Sequence, residues 1–292
     1  MALSSYITSA VGSYLVITLF LFALGQKVPR ASFFARCLAA YGSLLFCAIY
    51  GVIASIVLRL VGYGRISQWA TARCFKWVMR FTTGVWFDIV EGEEHLSTRP
   101  SVIIGNHQSE LDVLVLGAIF PPYTSVTAKK SLKYVPILGW FMTLSSSVFI
   151  DRANRKTAVK AFDSAAEEMR THRQNVFIFP EGTRSYSDKP ELLPFKKGAF
   201  HLAVQAGVPI VPVVVENYTH ILAPKKYRFK AGSIKIRVLP PIPTEGLTTE
   251  DVDNLTKTTQ ESMLKNLLEI SNTEQVDDPS SLRNGKSTAV EI

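Results

Sequence analysis

At 292 residues the chain is long enough for one sizeable α/β domain plus an attachment, because single cores stop growing at roughly 250–300 residues. Its formal net charge of +8 suits an anionic partner, whether nucleic acid, an acidic lipid surface or a phosphorylated substrate. Three cysteines, Cys37, Cys47 and Cys74, form no C-x-x-C pair and no Cys/His cluster of zinc spacing, which excludes a disulfide framework and a structural metal and points to a reducing compartment.

The 47% apolar content is unevenly spread, and the first sixty residues carry almost no charge. Residues 6–25 form an uncharged run of about the length, roughly 20 residues, that a helix needs to cross hydrocarbon, and residues 37–58 form a second. Lys27 and Arg30 follow the first run where a cleavage site would stand, and no basic segment precedes it, so both runs read as retained anchors rather than a signal peptide. Lys27, Arg30 and Arg36 lie between the runs while Arg59, Arg65 and Arg73 follow the second, so the positive-inside rule draws both ends to the cytosol. Either one run spans, or both make a hairpin that dips into one leaflet. Next, Ile66, Trp69, Ala70, Cys74, Trp77, Val78 and Phe81 recur at helical spacing, with Arg73, Lys76 and Arg80 on other faces. That helix suits a membrane interface and equally suits packing on the domain behind it.

Beyond it, β-rich runs at residues 85–90, 101–104, 125–128, 147–150, 176–179, 210–215 and 234–239 alternate with helical stretches such as 156–171 and 196–206. This order predicts an α/β fold, a mostly parallel sheet flanked by helices and preceded by an N-terminal helical membrane anchor, with reactive residues just after strand ends. The boundaries follow: an anchor over residues 1–62, one domain over 63–272 that opens on the amphipathic helix, and an unstructured polar tail over 273–292, rich in Ser, Asp and Asn. Gly285-Lys286-Ser287 in that tail is no phosphate-binding loop, since the pattern requires glycine where Ser280 stands.

The run 101–104 leads straight into Gly105-Asn106-His107-Gln108-Ser109-Glu110-Leu111-Asp112. A histidine and a carboxylate make a general base and its orienting partner, because the imidazole accepts a proton near neutral pH and the carboxylate stabilises the imidazolium. Residues five apart on one helix point roughly 140° apart, so His107 belongs in the turn before a helix that Asp112 begins or nearly begins. The run 147–150 ends in Asp151-Arg152, where Arg152 suits bidentate phosphate binding. Phe179-Pro180-Glu181-Gly182-Thr183-Arg184-Ser185 drops from another strand into a turn; Gly182 permits close backbone approach, Glu181 can accept a hydroxyl and Arg184 can hold phosphate. Lys129, after the run 125–128, adds to that positive field. Val208, Pro209, Ile210 and Pro212 suit an edge strand bordering an apolar groove, or an ordinary core strand. With no G-x-S-x-G elbow, the substrate must bring the nucleophile.

The blocks at residues 106–112, 149–152, 179–185 and 208–213, in this order, resemble the glycerolipid acyltransferase family. Asn106-His107-Gln108-Ser109, Phe179 to Ser185 and Leu193-Pro194-Phe195-Lys196-Lys197-Gly198-Ala199 most resemble its 1-acylglycerol-3-phosphate acyltransferases, and residues 69–75 and 128–140 extend the likeness to fungal members. The likeness covers about residues 68–242. It implies that His107 is the base and Asp112 its partner, that Arg152, Glu181 and Arg184 bind the acceptor's glycerol phosphate, and that Val208, Pro209, Ile210 and Pro212 border the acyl chain; Asn106, Lys129, Gly182 and Thr183 complete the expected substrate-binding set. It further implies transfer from acyl-CoA, a co-substrate, to lysophosphatidic acid, giving phosphatidic acid at a bilayer with no metal or other cofactor. The endoplasmic reticulum, with the catalytic domain cytosolic, is the implied location, and the lipid-droplet surface an alternative. Glycerol 3-phosphate and other lysophospholipids are rival acceptors, and a non-catalytic membrane scaffold is the rival from another class. Nucleic-acid binding is set aside, because the basic residues are dispersed and it leaves the apolar runs unexplained. Oligomeric state is not written in these motifs.

Overall fold

The computed structural model describes residues 2–151 and 154–277. The first apolar run forms helix α1 (Ala2–Gly25) and the second α2 (Pro29–Leu60), whose start carries Pro29 where a first-turn N–H would go unused anyway. A short turn through Lys27 folds them into a hairpin, sealed where the Tyr14 hydroxyl donates to the Leu38 carbonyl. Helix α3 (Ser67–Thr83) follows and stops at Gly84 in the left-handed conformation. Then come β1 (Val85–Glu91), β2 (Val102–Gly105), α4 (Asp112–Ile119), β3 (Thr124–Lys129), α5 (Leu138–Leu144), β4 (Val148–Ile150), α6 (Arg155–His172), β5 (Asn175–Ile178) and α7 (Gly198–Ala206). The chain ends with β6 (Ile210–Val215), a small hairpin of β7 (Leu222–Ala223) and β8 (Arg228–Phe229), then β9 (Gly232–Val238) and α8 (Val252–Asp277). Helix α8 carries the chain into the start of the segment that composition predicts to be unstructured; residues 278–292 lie outside the described residues.

The main sheet runs β1-β9-β6-β2-β5-β3-β4 and is parallel throughout except where β6 meets β9. Every run predicted as a strand is a strand; the β7–β8 hairpin went unread because its strands are two residues long and carry no alternation. Alternate residues of the central strands enter two separate cores. Ile103, Phe177, Val211 and Val213 pack with Phe75, Met79 and Leu114 on one face. Val102, Ile104, Val176 and Ile210 pack with Ala166, Phe200, Leu202 and Met263 on the other. A strand buried on both faces reads as a continuous apolar run, which is why β2, β5 and β6 stand out in the sequence.

Two expectations change here. The proline-interrupted strand β6 is not an edge: it lies between β9 and β2, and all six of its residues are buried. The sheet tolerates Pro212 because the ladder to β9 begins only at Val213, so the missing N–H falls at a ladder end, while the Pro212 carbonyl accepts from Leu239 N. Val208, Ile210 and Pro212 fill the core rather than border a groove, with Val208 and Ile210 set among α7 and α8 side chains. In α3 the buried stripe is Gln68, Thr71, Phe75, Met79 and Thr83, offset from the stripe the spacing marks, so Trp77 and Phe81 are left exposed and stacked 6.3 Å apart. This helix therefore packs on the domain and shows aromatic rings to the outside at once.

Helix α2 adheres to the domain along its length. Its buried residues Ala31, Ala35, Ser43, Cys47, Ala48, Gly51 and Ser55 are small, and all but Ala48 fall on one four-residue row that is interrupted only at the half-buried Ala39, so backbones approach closely. Ser43 Oγ meets Thr82 Oγ1 at 2.8 Å, Cys47 Sγ lies 3.8 Å from Cys74 Sγ, and Arg59 Nη2 donates to the Leu144 carbonyl at 2.8 Å. At Gly51 even a methyl group would stand 2.6 Å from the Phe141 ring. Helix α1 has no such seat: only 6% of its apolar window is buried, against 28% for α2.

Candidate active site

Strands β6, β2 and β5 are neighbours and parallel, so the loops that leave their carboxyl ends emerge side by side. The central loop carries His107 in a turn and Asp112 as the first residue of α4. His107 Nδ1 lies 2.7 Å from Asp112 Oδ2, and the carboxylate is fully buried while the imidazole is 15% exposed. Oδ2 also accepts from the backbone N–H groups of Gln108 at 2.5 Å and Ser109 at 3.1 Å, a short i to i+4 loop closing on the helix start. With Nδ1 donating to the carboxylate, Nε2 holds the free lone pair. The ring lies flat on Phe179 from β5's loop, centroids 4.0 Å apart at 13°, which limits its rotation.

The sequence reading missed Tyr218. It follows β6 by three residues, is 1% exposed, and its hydroxyl donates to Asp112 Oδ1 at 2.5 Å while meeting Ser109 Oγ at 2.9 Å. Burial, and then the Asp112 charge, hold this phenol protonated well above its ordinary range, so it remains a donor. The rule that led to His107, inspection of the residues just past a strand end, would have reached Tyr218 had it been applied to β6. Asp112 thus accepts from His107, two amides and a phenol, and the base is held in one tautomer and orientation.

Other predicted residues fall in different places. Asn106 is 2% exposed and turns its amide to Val215, accepting from its N–H at 2.8 Å and donating to its carbonyl at 2.9 Å, so it splices β2 to β6 one step past the ladder. Glu181 is 3% exposed, and its two oxygens accept from His107 N at 2.7 Å and Leu193 N at 2.9 Å. It clasps the catalytic turn to β5's loop from behind rather than offering a carboxylate to a ligand. Gly182 takes a positive φ of 68°, the conformation the turn requires and a side chain resists. Thr183 and Arg184 are exposed beside it, and Ser185 N donates to the His107 carbonyl at 3.0 Å, which places Arg184 next to the base. Lys129 is exposed at the end of β3, two strands from β2. Arg152 follows the edge strand β4 and lies outside the described residues. A small cleft of about 50 Å³, open to solvent, runs past Gln108, Ser109, Tyr186, Tyr218 and Leu222.

Sequence comparison now adds its weight. The acyltransferase family model matches residues 89–216, the stretch that holds this constellation up to the end of β6. A 1-acyl-sn-glycerol-3-phosphate acyltransferase of Saccharomyces cerevisiae is 44% identical over 251 residues, covering 86% of this chain and 82% of its own. The chain belongs to the 1-acyl-sn-glycerol-3-phosphate acyltransferase family. An uncharacterised acyltransferase of Schizosaccharomyces pombe is 50% identical over 80% of this chain and 84% of its own, and the human beta form of the enzyme is 37% identical over 89% and 93%. In fold, the chain resembles the crystal structure of the Thermotoga maritima 1-acyl-sn-glycerophosphate acyltransferase PlsC, with a TM-score of 0.60 and 23% identity over 94% of this chain and 98% of that one. The expected fold class and the likeness to fungal members both hold.

Within this family member, Glu181 makes the fold sensitive to pH. Burial pushes its carboxyl up from 4.5 to about 7, against the pull of its two amide donors. A raised carboxyl means the folded state holds its proton more tightly than the unfolded chain. The stabilisation is full below about 4.5 and is lost as pH rises through about 7. The unfolding free energy in detergent is expected to fall across that window, by an upper bound of about 3 kcal/mol at 1.36 kcal/mol per pKa unit, and the unfolding midpoint with it. Glu181→Gln should flatten the slope; an equal slope in the variant would assign it to another group.

Proposed function

We propose that the protein transfers an acyl group from acyl-CoA to the sn-2 hydroxyl of lysophosphatidic acid, with His107 as general base and no covalent intermediate. The carrying observation is the His107–Asp112 contact at 2.7 Å inside a fully buried carboxylate shell, the arrangement a base needs and a structural histidine does not. His107 Nε2 takes the proton of the lipid hydroxyl as its oxygen attacks the thioester carbonyl. The C–S bond then breaks, and CoA leaves as a thiolate that the imidazolium can protonate. Direct transfer is supported by the state of Ser109, the hydroxyl nearest in sequence: it is 4% exposed, accepts from Leu111 N at 3.1 Å and pairs with Tyr218, so it is not free to become the nucleophile. The acceptor reading is supported by the 1-acyl-sn-glycerol-3-phosphate acyltransferase activity for which the yeast and human relatives are named, together with Arg184 beside His107. Full-length protein in detergent, given oleoyl-CoA and 1-acyl lysophosphatidic acid, should release thiol and form phosphatidic acid in equal amounts. Thiol without lipid product would mean a thioesterase or another acceptor, such as glycerol 3-phosphate or a different lysophospholipid; neither product would favour a scaffold.

The anchor is proposed to be a hairpin within the cytosolic leaflet. A helix held to the domain from Ser43 to Arg59 cannot also cross a bilayer that the domain lies outside. The outward face of α2, with Tyr41, Leu45, Ile53 and Val57 exposed, and nearly all of α1 then meet lipid, while Trp77 and Phe81 rest at the interface. This seats the site where both acyl substrates reside. In sealed microsomes, a cysteine introduced by Lys27→Cys into a cysteine-free background should react with an impermeant maleimide from the cytosolic side; protection until the lumen is opened would mean that the hairpin spans. The same preparation tests the endoplasmic reticulum or lipid-droplet location by co-fractionation. Asn217, in the sequon Asn217-Tyr218-Thr219, donates through Nδ2 to the carbonyls of Ser187 at 3.1 Å and Lys189 at 3.0 Å, a commitment that suits an unmodified, cytosolic residue.

A further inference from the structure

Beside His107 a half-exposed ring of three side chains includes Arg184, and its other two members, Glu110 and Tyr186, have no part in the reaction described above. Arg184 Nη1 donates to Glu110 Oε1 at 2.9 Å and to the Tyr186 hydroxyl at 3.1 Å, and that hydroxyl donates to the same Glu110 oxygen at 2.5 Å. Both contacts use one nitrogen of the guanidinium. Its Nε–Nη2 edge makes no hydrogen bond or ion pair with the described residues, and that edge is the planar two-donor fork that matches two oxygens of a phosphate. An ordinary surface salt bridge spends its best edge on the carboxylate and contributes little; here the best edge is kept back. The ring is also fixed to the base. Tyr186 N donates to the Gln108 carbonyl at 3.0 Å, one residue from Ser185 N and the His107 carbonyl, and Tyr186 takes a positive φ of 48° to do so. Non-glycine residues rarely adopt that conformation, and their concentration at binding sites makes it informative. Tyr186 in turn lines the cleft that passes Gln108, Ser109 and Tyr218.

We propose that Glu110 and Tyr186 are positioning residues that hold Arg184 by Nη1 and present its free edge to the phosphate of the acceptor, setting acceptor affinity without touching the reacting atoms. The proposal rests on the lysophosphatidic acid reading above. A long arginine side chain loses its rotameric freedom when it grips an anion, and the Glu110–Tyr186 pair has already removed much of that freedom in the unliganded protein. Phosphate then meets a fork already held in place, on a loop that is hydrogen-bonded to the His107 turn.

Tyr186→Phe tests this without changing charge, since it removes one oxygen from a half-exposed residue. In the full-length enzyme with lysophosphatidic acid and oleoyl-CoA, the variant should raise the acceptor KM roughly two- to tenfold, the range of a single lost hydrogen bond, and leave the acyl-CoA KM where it was. In an Arg184→Ala background the same substitution should add no further rise, because no guanidinium remains to be positioned. A donor KM that climbs with the acceptor KM, a kcat loss at constant acceptor KM, or an equal rise in the Arg184→Ala background would overturn the proposal and indicate a merely structural tyrosine. Wild-type turnover of lysophosphatidic acid with any of these results sinks the positioning role alone; no phosphatidic acid from the wild type sinks the functional reading and this proposal with it.

Discussion

His107→Ala is expected to lower kcat by about 10² to 10⁴, roughly 3–5 kcal/mol of barrier, the ordinary worth of a positioned general base. The fold should survive. Asp112 keeps the amides of Gln108 and Ser109 and the Tyr218 hydroxyl as donors, so the buried carboxylate is not orphaned by losing the imidazole. Phe179 loses a stacked ring that was mostly buried, so a limited packing loss accompanies the substitution. Thermal unfolding in detergent should therefore shift slightly while turnover nearly vanishes. The KM for both substrates should move little, since the imidazole acts on the hydroxyl proton as the bond forms. Substantial activity in a folded His107→Ala protein would remove His107 from the chemistry.

Asp112→Asn should be nearly as damaging to turnover, about 10² to 10⁴, and it separates charge from shape; a triad carboxylate replaced by its amide in the serine-protease example of the same logic loses about 10⁴. The amide has one acceptor oxygen to offer where the carboxylate had two. That oxygen must stay on the side of the three N–H donors, because turning the NH₂ toward them would leave three donors facing a fourth. The NH₂ then faces the Tyr218 hydroxyl, which can rotate to accept from it and donate to Ser109 Oγ. The structure should persist, with about 1–3 kcal/mol lost through the weakened buried network. Yet the imidazolium formed during proton transfer would have no anion beside it. Replacing Tyr218 as well, by Tyr218→Phe, should cost about a further 1–3 kcal/mol, because the buried NH₂ then has no acceptor, and should restore no activity. If Asp112→Asn kept most of the wild-type kcat, the negative charge would be irrelevant and the carboxylate would serve as a turn-builder only.

The strands and the His107–Asp112 pair were legible in the sequence for physical reasons that are local. A central parallel strand is apolar on both faces, so β2, β5 and β6 announce themselves without any knowledge of their neighbours. The His107–Asp112 contact closes over five residues, and helical geometry alone forbade both from sharing one helix. The uncharged lengths of α1 and α2 carried the anchor. Glu181 misled, because a carboxylate at a strand end reads the same whether it faces solvent or the back of a turn. The proline strand misled too, since the usual exclusion of proline from sheet interiors fails where an antiparallel ladder happens to begin one residue later.

Local pattern thus specified most of the elements, the two apolar helices and the pairing of His107 with Asp112. Strand order came from elsewhere. That β6 and β5 flank β2 is settled by which apolar faces cover each other when the sheet is buried between two layers of helices, and such burial couples residues far apart in the chain. Glu181 reaches the catalytic turn across 74 residues and Tyr218 reaches Asp112 across 106, separations at which neither periodicity nor turn chemistry carries a signal. The buried stripe of α3 and the seating of α2 on the domain have the same origin, because a helix buries whichever face its partners' shapes accept, and small residues every fourth position let α2 come close.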